Sequence, residues 1–164
     1  MFRVFLGLGS NLGDRLRYLS LAVQEIRRIV TVVSESSIYE TEPVGMDKAN
    51  SFFNMILETQ TSVLPPELLA TLKNIELKLG RKQDSHLQPR EIDIDIELYE
   101  GYVYHDDVID VPHPELQHRK FLLEPFRELA PTIVHPLLKK TVNELYVECP
   151  DTHAVVRTHY SLTT

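Results

Sequence analysis

The stretch Glu91-Ile92-Asp93-Ile94-Asp95-Ile96-Glu97-Leu98 alternates acidic and apolar residues without a break. Such alternation marks a strand with one buried face, because successive side chains of an extended chain point to opposite sides. Ile92, Ile94, Ile96 and Leu98 are expected on the core face, and Asp93, Asp95 and Glu97 on the other. This segment, read as a strand over 91–99, closes a pattern that begins at the N-terminus. Residues 2–9 carry Phe2, Val4, Leu6 and Leu8 at every second position and predict a first strand. From Gly13 to Val30 the apolar residues Leu16, Leu19, Val23, Ile26 and Val30 recur at steps of three and four. That spacing predicts a helix with one buried stripe and an outer face bearing Arg15, Arg17, Arg27 and Arg28. Residues 31–41 are rich in β-branched and hydroxyl residues and predict one long strand, ended by Pro43 and Gly45. Residues 51–61 predict a third strand. Pro65-Pro66 suits the first turn of a second helix, which Gly80 stops. The order β-α-β-β-α-β is that of a ferredoxin-like α+β fold, an antiparallel sheet with helices packed on it.

The last third of the chain supplies C-terminal additions. After a turn through Glu100-Gly101 come a proline-rich loop, Val111-Pro112-His113-Pro114, a helix over 121–129 and a short one over 142–147. No repeat or linker divides the 164 residues, so 1–164 reads as a single domain. Twenty-four acidic residues against seventeen Lys and Arg give a net charge of −7, a poor balance for gripping nucleic acid or an anionic membrane. No apolar run is long enough to cross a bilayer, and the first residues read as a strand instead of a signal peptide. Cys149 is the one cysteine, which excludes an internal disulfide and a cysteine-based zinc site. A monomeric cytoplasmic protein is the expectation.

Three places carry chemistry. Asp93 and Asp95 are side-by-side neighbours roughly 7 Å apart, from two rises of about 3.3 Å each. Two carboxylates so placed repel each other unless a cation joins them, and a divalent ion there would leave positions open to phosphate oxygens. The same residues could equally be the wet face of an amphipathic strand, although Asp is a poor strand former. The second place is Gly7-Leu8-Gly9-Ser10-Asn11-Leu12-Gly13, a glycine-rich passage from strand to helix. It lacks the G-x-G-x-x-G spacing of a dinucleotide fold, and a tight turn needing positive φ explains its glycines as well as phosphate binding does. The third is a set of aromatics and amides, Thr41 with Phe52-Phe53-Asn54 and the distant Phe121. These residues would suit a flat heteroaromatic ligand or an ordinary core. Scattered cations at Arg81, Lys82, Arg90, His113, His118, Arg119 and Lys120 offer partners for phosphate. His113 suits hydrogen bonding or phosphate contact better than metal ligation.

Taken in order, these motifs resemble the 6-hydroxymethyl-7,8-dihydropterin pyrophosphokinase family. The resemblance runs through Gly7–Gly13, Tyr39-x-Thr41-x-Pro43-x-Gly45, Phe53-Asn54, and Ile75-Glu76-Leu77-x-x-Gly80-Arg81. It continues through Pro89-Arg90-x-x-Asp93-Ile94-Asp95-Ile96, Val111-Pro112-His113 and Arg119-x-Phe121-x-Leu123-x-Pro125. It implies transfer of pyrophosphate from ATP to 6-hydroxymethyl-7,8-dihydropterin in folate biosynthesis, with AMP as the other product. Two Mg²⁺ ions would be held by Asp93 and Asp95. ATP would be met by Glu76, Arg81, Arg90, Ile96, His113 and Arg119, with Arg81, Arg90, Asp93 and Asp95 as the catalytic set. The pterin would be met by Thr41, Pro43, Val44, Phe52, Asn54, Asp93 and Phe121. The chain departs from the family pattern at Gln88 (usually Gly), Leu87 (near a common aromatic), Phe52 (often Tyr) and a shortened loop after Arg81. From the residues alone, a non-catalytic ferredoxin-like binding module and a two-metal nucleotidyl transferase or hydrolase remain the alternatives.

Overall fold

The computed structural model describes residues 1–41, 51–80 and 91–162. Strand β1 (Phe2–Ser10) leads into helix α1 (Arg15–Arg27). Then come β2 (Thr31–Glu35), β3 (Tyr39–Thr41), β4 (Phe52–Thr61), helix α2 (Pro65–Lys78) and β5 (Asp93–Tyr99). The sheet runs in the order β5-β1-β4-β3, with β2 also on β4, and every pair is antiparallel. This is the expected ferredoxin-like arrangement. The expected single strand over 31–41 is instead two. Between them the backbone N–H of Ser36 donates to Ile56 O at 2.9 Å, while the Ser36 hydroxyl accepts from Ile56 N at 2.9 Å. A side chain thus replaces a main-chain acceptor in the ladder, and the strand breaks there.

The two predicted helices begin and end as their sequence dictates. Asp14 caps α1 by accepting from Arg17 N at 3.1 Å, and Gly13, at φ 71°, makes the turn before it. Pro65 and Pro66 open α2. Both helices press on one face of the sheet, where Leu19, Ala22, Val23, Ile26, Leu68, Leu72 and Ile75 meet Val4, Leu6, Leu8, Met55, Leu57, Ile94 and Ile96. Each fully buried aliphatic side chain contributes about 1.5–3 kcal/mol.

Among the described residues, α-helical packing covers the other face over only part of its length. Beyond β5 lie a small ladder of β6 (Tyr104–His105) and β7 (Asp110–Val111), a 3₁₀ turn over Leu116–His118, helix α3 (Lys120–Leu129) and helix α4 (Val142–Glu148). Helices α3 and α4 pack Leu122, Leu123, Phe126, Val142 and Leu145 over Phe5, Ile56 and Leu98. The rings of Phe5 and Phe126 lie 4.5 Å apart. A last strand, β8 (Val155–Arg157), which the sequence pattern does not suggest, extends the sheet beside β3.

Leu98 corrects one expectation. It lies with Phe5 and Ile56 under α3, on the face opposite Ile94 and Ile96. The cause is a bulge: Ile96 pairs with Leu6 and Leu98 with Phe5, so Glu97 is an extra residue in β5. One extra residue reverses the parity of every side chain beyond it. Glu97 therefore stays on the face of Asp93 and Asp95, and Leu98 joins it there.

Candidate active site

Four strand ends meet where α3 and α4 leave the second face open. Register decides who is there: Gly9 pairs with Asn54 on one side and Asp93 on the other, Gly7 pairs with Asp95, Tyr39 pairs with Asn54, and Thr41 pairs with Phe52. Paired residues share a face, so Thr41, Phe52, Asn54, Gly9, Gly7, Asp93 and Asp95 form one contiguous patch.

The glycines of β1 are there for space. A Cβ on Gly7 would come within 2.5 Å of Glu97 Oε1. One on Gly9 would lie 2.8 Å from Asn54 Oδ1 and 3.2 Å from Phe52 Cδ1. Neither residue has positive φ, so the turn explanation for the glycines holds for Gly13 alone. Gly7 and Gly9 are a flat floor on which two polar side chains lie.

One of these, Asn54, is 6% exposed and donates from Nδ2 to Thr41 Oγ1 at 2.9 Å, with Thr41 itself buried. The other, Glu97, is fully buried, and neither carboxylate oxygen has a hydrogen-bond partner among the described residues. Burial pushes its carboxyl well above the usual range; Asp95 and then Asp93 push the same way, and Arg119 opposes them. Three carboxyl groups thus feel one another along β5. Glu97 went unassigned in the sequence, although its place two residues past Asp95 was the available signal.

Two further groups close on the same spot. The His113 N–H donates to Glu97 O at 2.9 Å, and His113 Nδ1 accepts from Glu115 N at 3.1 Å. With Nδ1 an acceptor, the neutral ring carries its proton on Nε2. Burial foremost, and then the Arg119 charge, hold the imidazole below its ordinary value, with Asp93 opposing. Arg119 precedes the first turn of α3, its guanidinium carbon 5.7 Å from the Phe121 ring centre. Phe121 itself is half-buried at the edge of the α3 cluster.

Glu76 and Ile96 stand elsewhere. The Glu76 side chain is 3% exposed, accepts from Ile94 N at 2.6 Å and pairs with Lys73 Nζ at 3.1 Å. It grips the peptide between the two aspartates along the outer edge of β5. The Ile96 side chain lies in the core under α1 and α2, on the face away from Asp93 and Asp95, so a ligand on the aspartate face meets it through the backbone alone. Pro43, Val44, Arg81, Leu87, Gln88 and Arg90 lie outside the described residues.

Asp93 and Asp95 offer hard oxygen donors, and the buried carboxyl of Glu97, without a hydrogen-bond partner among the described residues, lies beside them on the same face. This donor set fits Mg²⁺, which takes one or two carboxylates and leaves the rest of its shell to water and phosphate. Among the described residues no three acidic, His or Cys side chains converge tightly enough to enclose a cation by themselves. An open site of this kind suits a metal brought in with a nucleotide.

Comparison with known proteins bears on the same residues. The family model 7,8-dihydro-6-hydroxymethylpterin-pyrophosphokinase (HPPK) matches residues 5–131. A 2-amino-4-hydroxy-6-hydroxymethyldihydropteridine pyrophosphokinase of Aquifex aeolicus is 39% identical over 148 residues, 90% of this chain and 92% of that one. Its counterpart in Bacillus subtilis is 41% identical over 128 residues, 77% of each chain. Among solved structures, wild-type HPPK-DHPS of Plasmodium falciparum with SDX-DHP superimposes with a TM-score of 0.70 at 18% identity, a likeness of fold. That match covers 90% of this chain and 43% of the Plasmodium one, so this chain spans less than half of that protein. The matched span runs from within β1 through α3 and includes both aspartates, and the chain belongs to the 7,8-dihydro-6-hydroxymethylpterin-pyrophosphokinase (HPPK) family.

Proposed function

We propose that this chain transfers the pyrophosphoryl group of ATP to the hydroxymethyl oxygen of 6-hydroxymethyl-7,8-dihydropterin, in folate biosynthesis. The hydroxyl oxygen gives up its proton to solvent and forms a bond to the β-phosphorus, the bond from the β-phosphorus to the α,β-bridging oxygen breaks, and AMP leaves. The observation that carries this reading is the patch of paired strand ends. A buried amide and hydroxyl suited to a ring edge share one open face with two carboxylates suited to a metal-bound polyphosphate.

The chain's part is to hold two substrates in line. Positioning of this kind supplies about 7–11 kcal/mol of a barrier. Asn54 and Thr41 read the edge of the pterin ring, and Phe52 and Phe121 offer aromatic surface; Pro43 and Val44 complete this set. Asp93 and Asp95 would hold two Mg²⁺ ions, which when bound neutralise phosphate charge and draw electron density from the transferred group. Arg119, His113, Arg81 and Arg90 take the phosphate oxygens. The neutral His113 ring donates from Nε2 and stays fixed at Nδ1. In this reading Glu76, expected near the nucleotide, also acts through the backbone: it braces Ile94, and so the two aspartates. The chain's lone Cys149 fits a reducing compartment, and we assign it to the cytoplasm as a monomer.

The test is a nucleotide assay with ATP, Mg²⁺ and the reduced pterin alcohol. AMP should appear only when both pterin and metal are present, and EDTA should abolish it. ADP would make the chain a simple kinase, and pyrophosphate release would make it a nucleotidyl transferase; either result rejects the proposal.

A further inference from the structure

Arg15, expected on the solvated face of its helix, is not there. Its guanidinium carbon lies 3.6 Å from the centre of the buried Phe53 ring. From that stacked position Nη1 donates to Ser51 O at 2.9 Å and Ser51 Oγ at 3.2 Å, and pairs with Glu40 Oε2 at 3.2 Å. Glu40 and Phe53 are register partners, and the next pair along is Thr41 with Phe52. The first residue of α1 is therefore fastened to the last pairs of the β3–β4 ladder, from the face opposite Thr41 and Asn54.

We infer that Arg15 is a positioning residue for the pterin: it locks the end of this ladder from behind, so that the Asn54 amide and the Thr41 hydroxyl stand ready before the ligand arrives. The inference rests on the assignment of Asn54 and Thr41 to the pterin made above. An exposed ion pair with Glu40 alone would contribute little. Stacking on an aromatic face while donating to a main-chain carbonyl needs a flat, forked cation, which Lys is not. Holding the ligand's partners in place beforehand removes the ordering cost of binding and strengthens affinity without a new contact.

The test compares Arg15→Ala and Arg15→Lys with Arg27→Ala, whose Arg27 makes an exposed pair with Glu35 at the far end of α1. Pterin Kd is measured with a non-hydrolysable ATP analogue and Mg²⁺ present, alongside KM for each substrate and kcat. Both Arg15 variants should weaken pterin binding by about tenfold. Their ATP KM, and kcat at saturating pterin, should stay within about twofold, and amide exchange should quicken at Tyr39–Thr41 and Phe52–Asn54. Arg27→Ala should match the wild type throughout. A wild-type pterin Kd in both Arg15 variants, or an equal loss for pterin and ATP, overturns the inference. Should Arg15→Ala fail to fold, Arg15→Lys, which keeps the charge, decides the matter. If wild-type protein forms no AMP, the functional reading itself falls; if it does while the Arg15 variants bind pterin normally, this inference falls alone.

Discussion

Adding one methyl group at Gly9 should weaken pterin binding and the fold together, while leaving ATP binding unchanged. The new Cβ would sit 2.8 Å from Asn54 Oδ1 and 3.2 Å from Phe52 Cδ1, and the first distance forces movement. The backbone of β1 is fixed between β4 and β5, so the Asn54 amide must yield. Yielding strains its 2.9 Å bond to Thr41 inside a buried site. Overpacking costs about 1–3 kcal/mol, and a buried polar group left without its partner costs a similar amount. If about 2 kcal/mol of this falls on the amide that reads the ring, pterin affinity drops about 30-fold. A similar loss of stability lowers Tm by about 4–8 °C, at about 2–4 °C per kcal/mol. The assay is pterin Kd by fluorescence, with binding of an ATP analogue as the internal reference. Thr59→Val serves as control, because it removes a buried bond from Thr59 Oγ1 to Val4 O at 2.8 Å, in the same sheet away from the patch. Both variants should lose stability, and only Gly9→Ala should lose pterin. Wild-type pterin affinity in Gly9→Ala would refute the assignment of Asn54.

Three other outcomes can be checked on the same protein. Asp95→Asn keeps the shape and removes the carboxylate that faces Glu97 and Asp93; turnover should fall about 10³-fold, worth about 4 kcal/mol, with Tm in EDTA unchanged or higher. Glu97→Met fills the channel beside Gly7 with an unbranched apolar chain in place of a buried carboxyl without a partner; urea denaturation in EDTA should show a gain of about 1–3 kcal/mol, and a loss would mean that the carboxyl has a structural partner. His135 is buried and its Nδ1 accepts from Leu137 N at 3.2 Å and Leu138 N at 3.0 Å, and burial holds its pKa below the usual 6.5. The folded protein therefore binds this proton less readily than the unfolded chain. The stability tied to neutral His135 is present above pH 6.5 and is lost as pH falls from there through the lowered value. His135→Gln should flatten that part of the profile while lowering stability at neutral pH.

The sheet and its helices were legible because periodicity reports burial directly: the alternation of residues 91–98 and the three-and-four spacing of residues 16–30 each have one structural solution. What periodicity does not carry is an extra residue. The bulge at Glu97 moves Leu98 to the other face, and no local feature of Glu-Leu-Tyr distinguishes it from a regular strand. The break at Ser36 is equally silent, since a hydroxyl standing in for a carbonyl depends on where Ile56 falls across the sheet. For the site, Asp93, Asp95, Asn54 and Thr41 could be named from the chain, but the reason for Gly7 and Gly9 could not. Their need for space comes from Glu97 and Asn54, which lie about 45 to 90 residues away along the chain and meet them only through β-pairing. Arg15 departs from its stripe for the same cause: the helix spacing places it outward, and Phe53, Ser51 and Glu40 draw it in.

Phosphorus NMR of a complete reaction mixture addresses the central claim most directly, because it sees which phosphorus moved. The wild-type chain with ATP, Mg²⁺ and the pterin alcohol should yield the two coupled resonances of a pterin diphosphate together with the single resonance of AMP, and the Asp95→Asn chain should form both about 10³-fold more slowly. A lone pterin monophosphate signal accompanied by ADP, or an undiminished diphosphate signal from the Asp95→Asn chain, would contradict it.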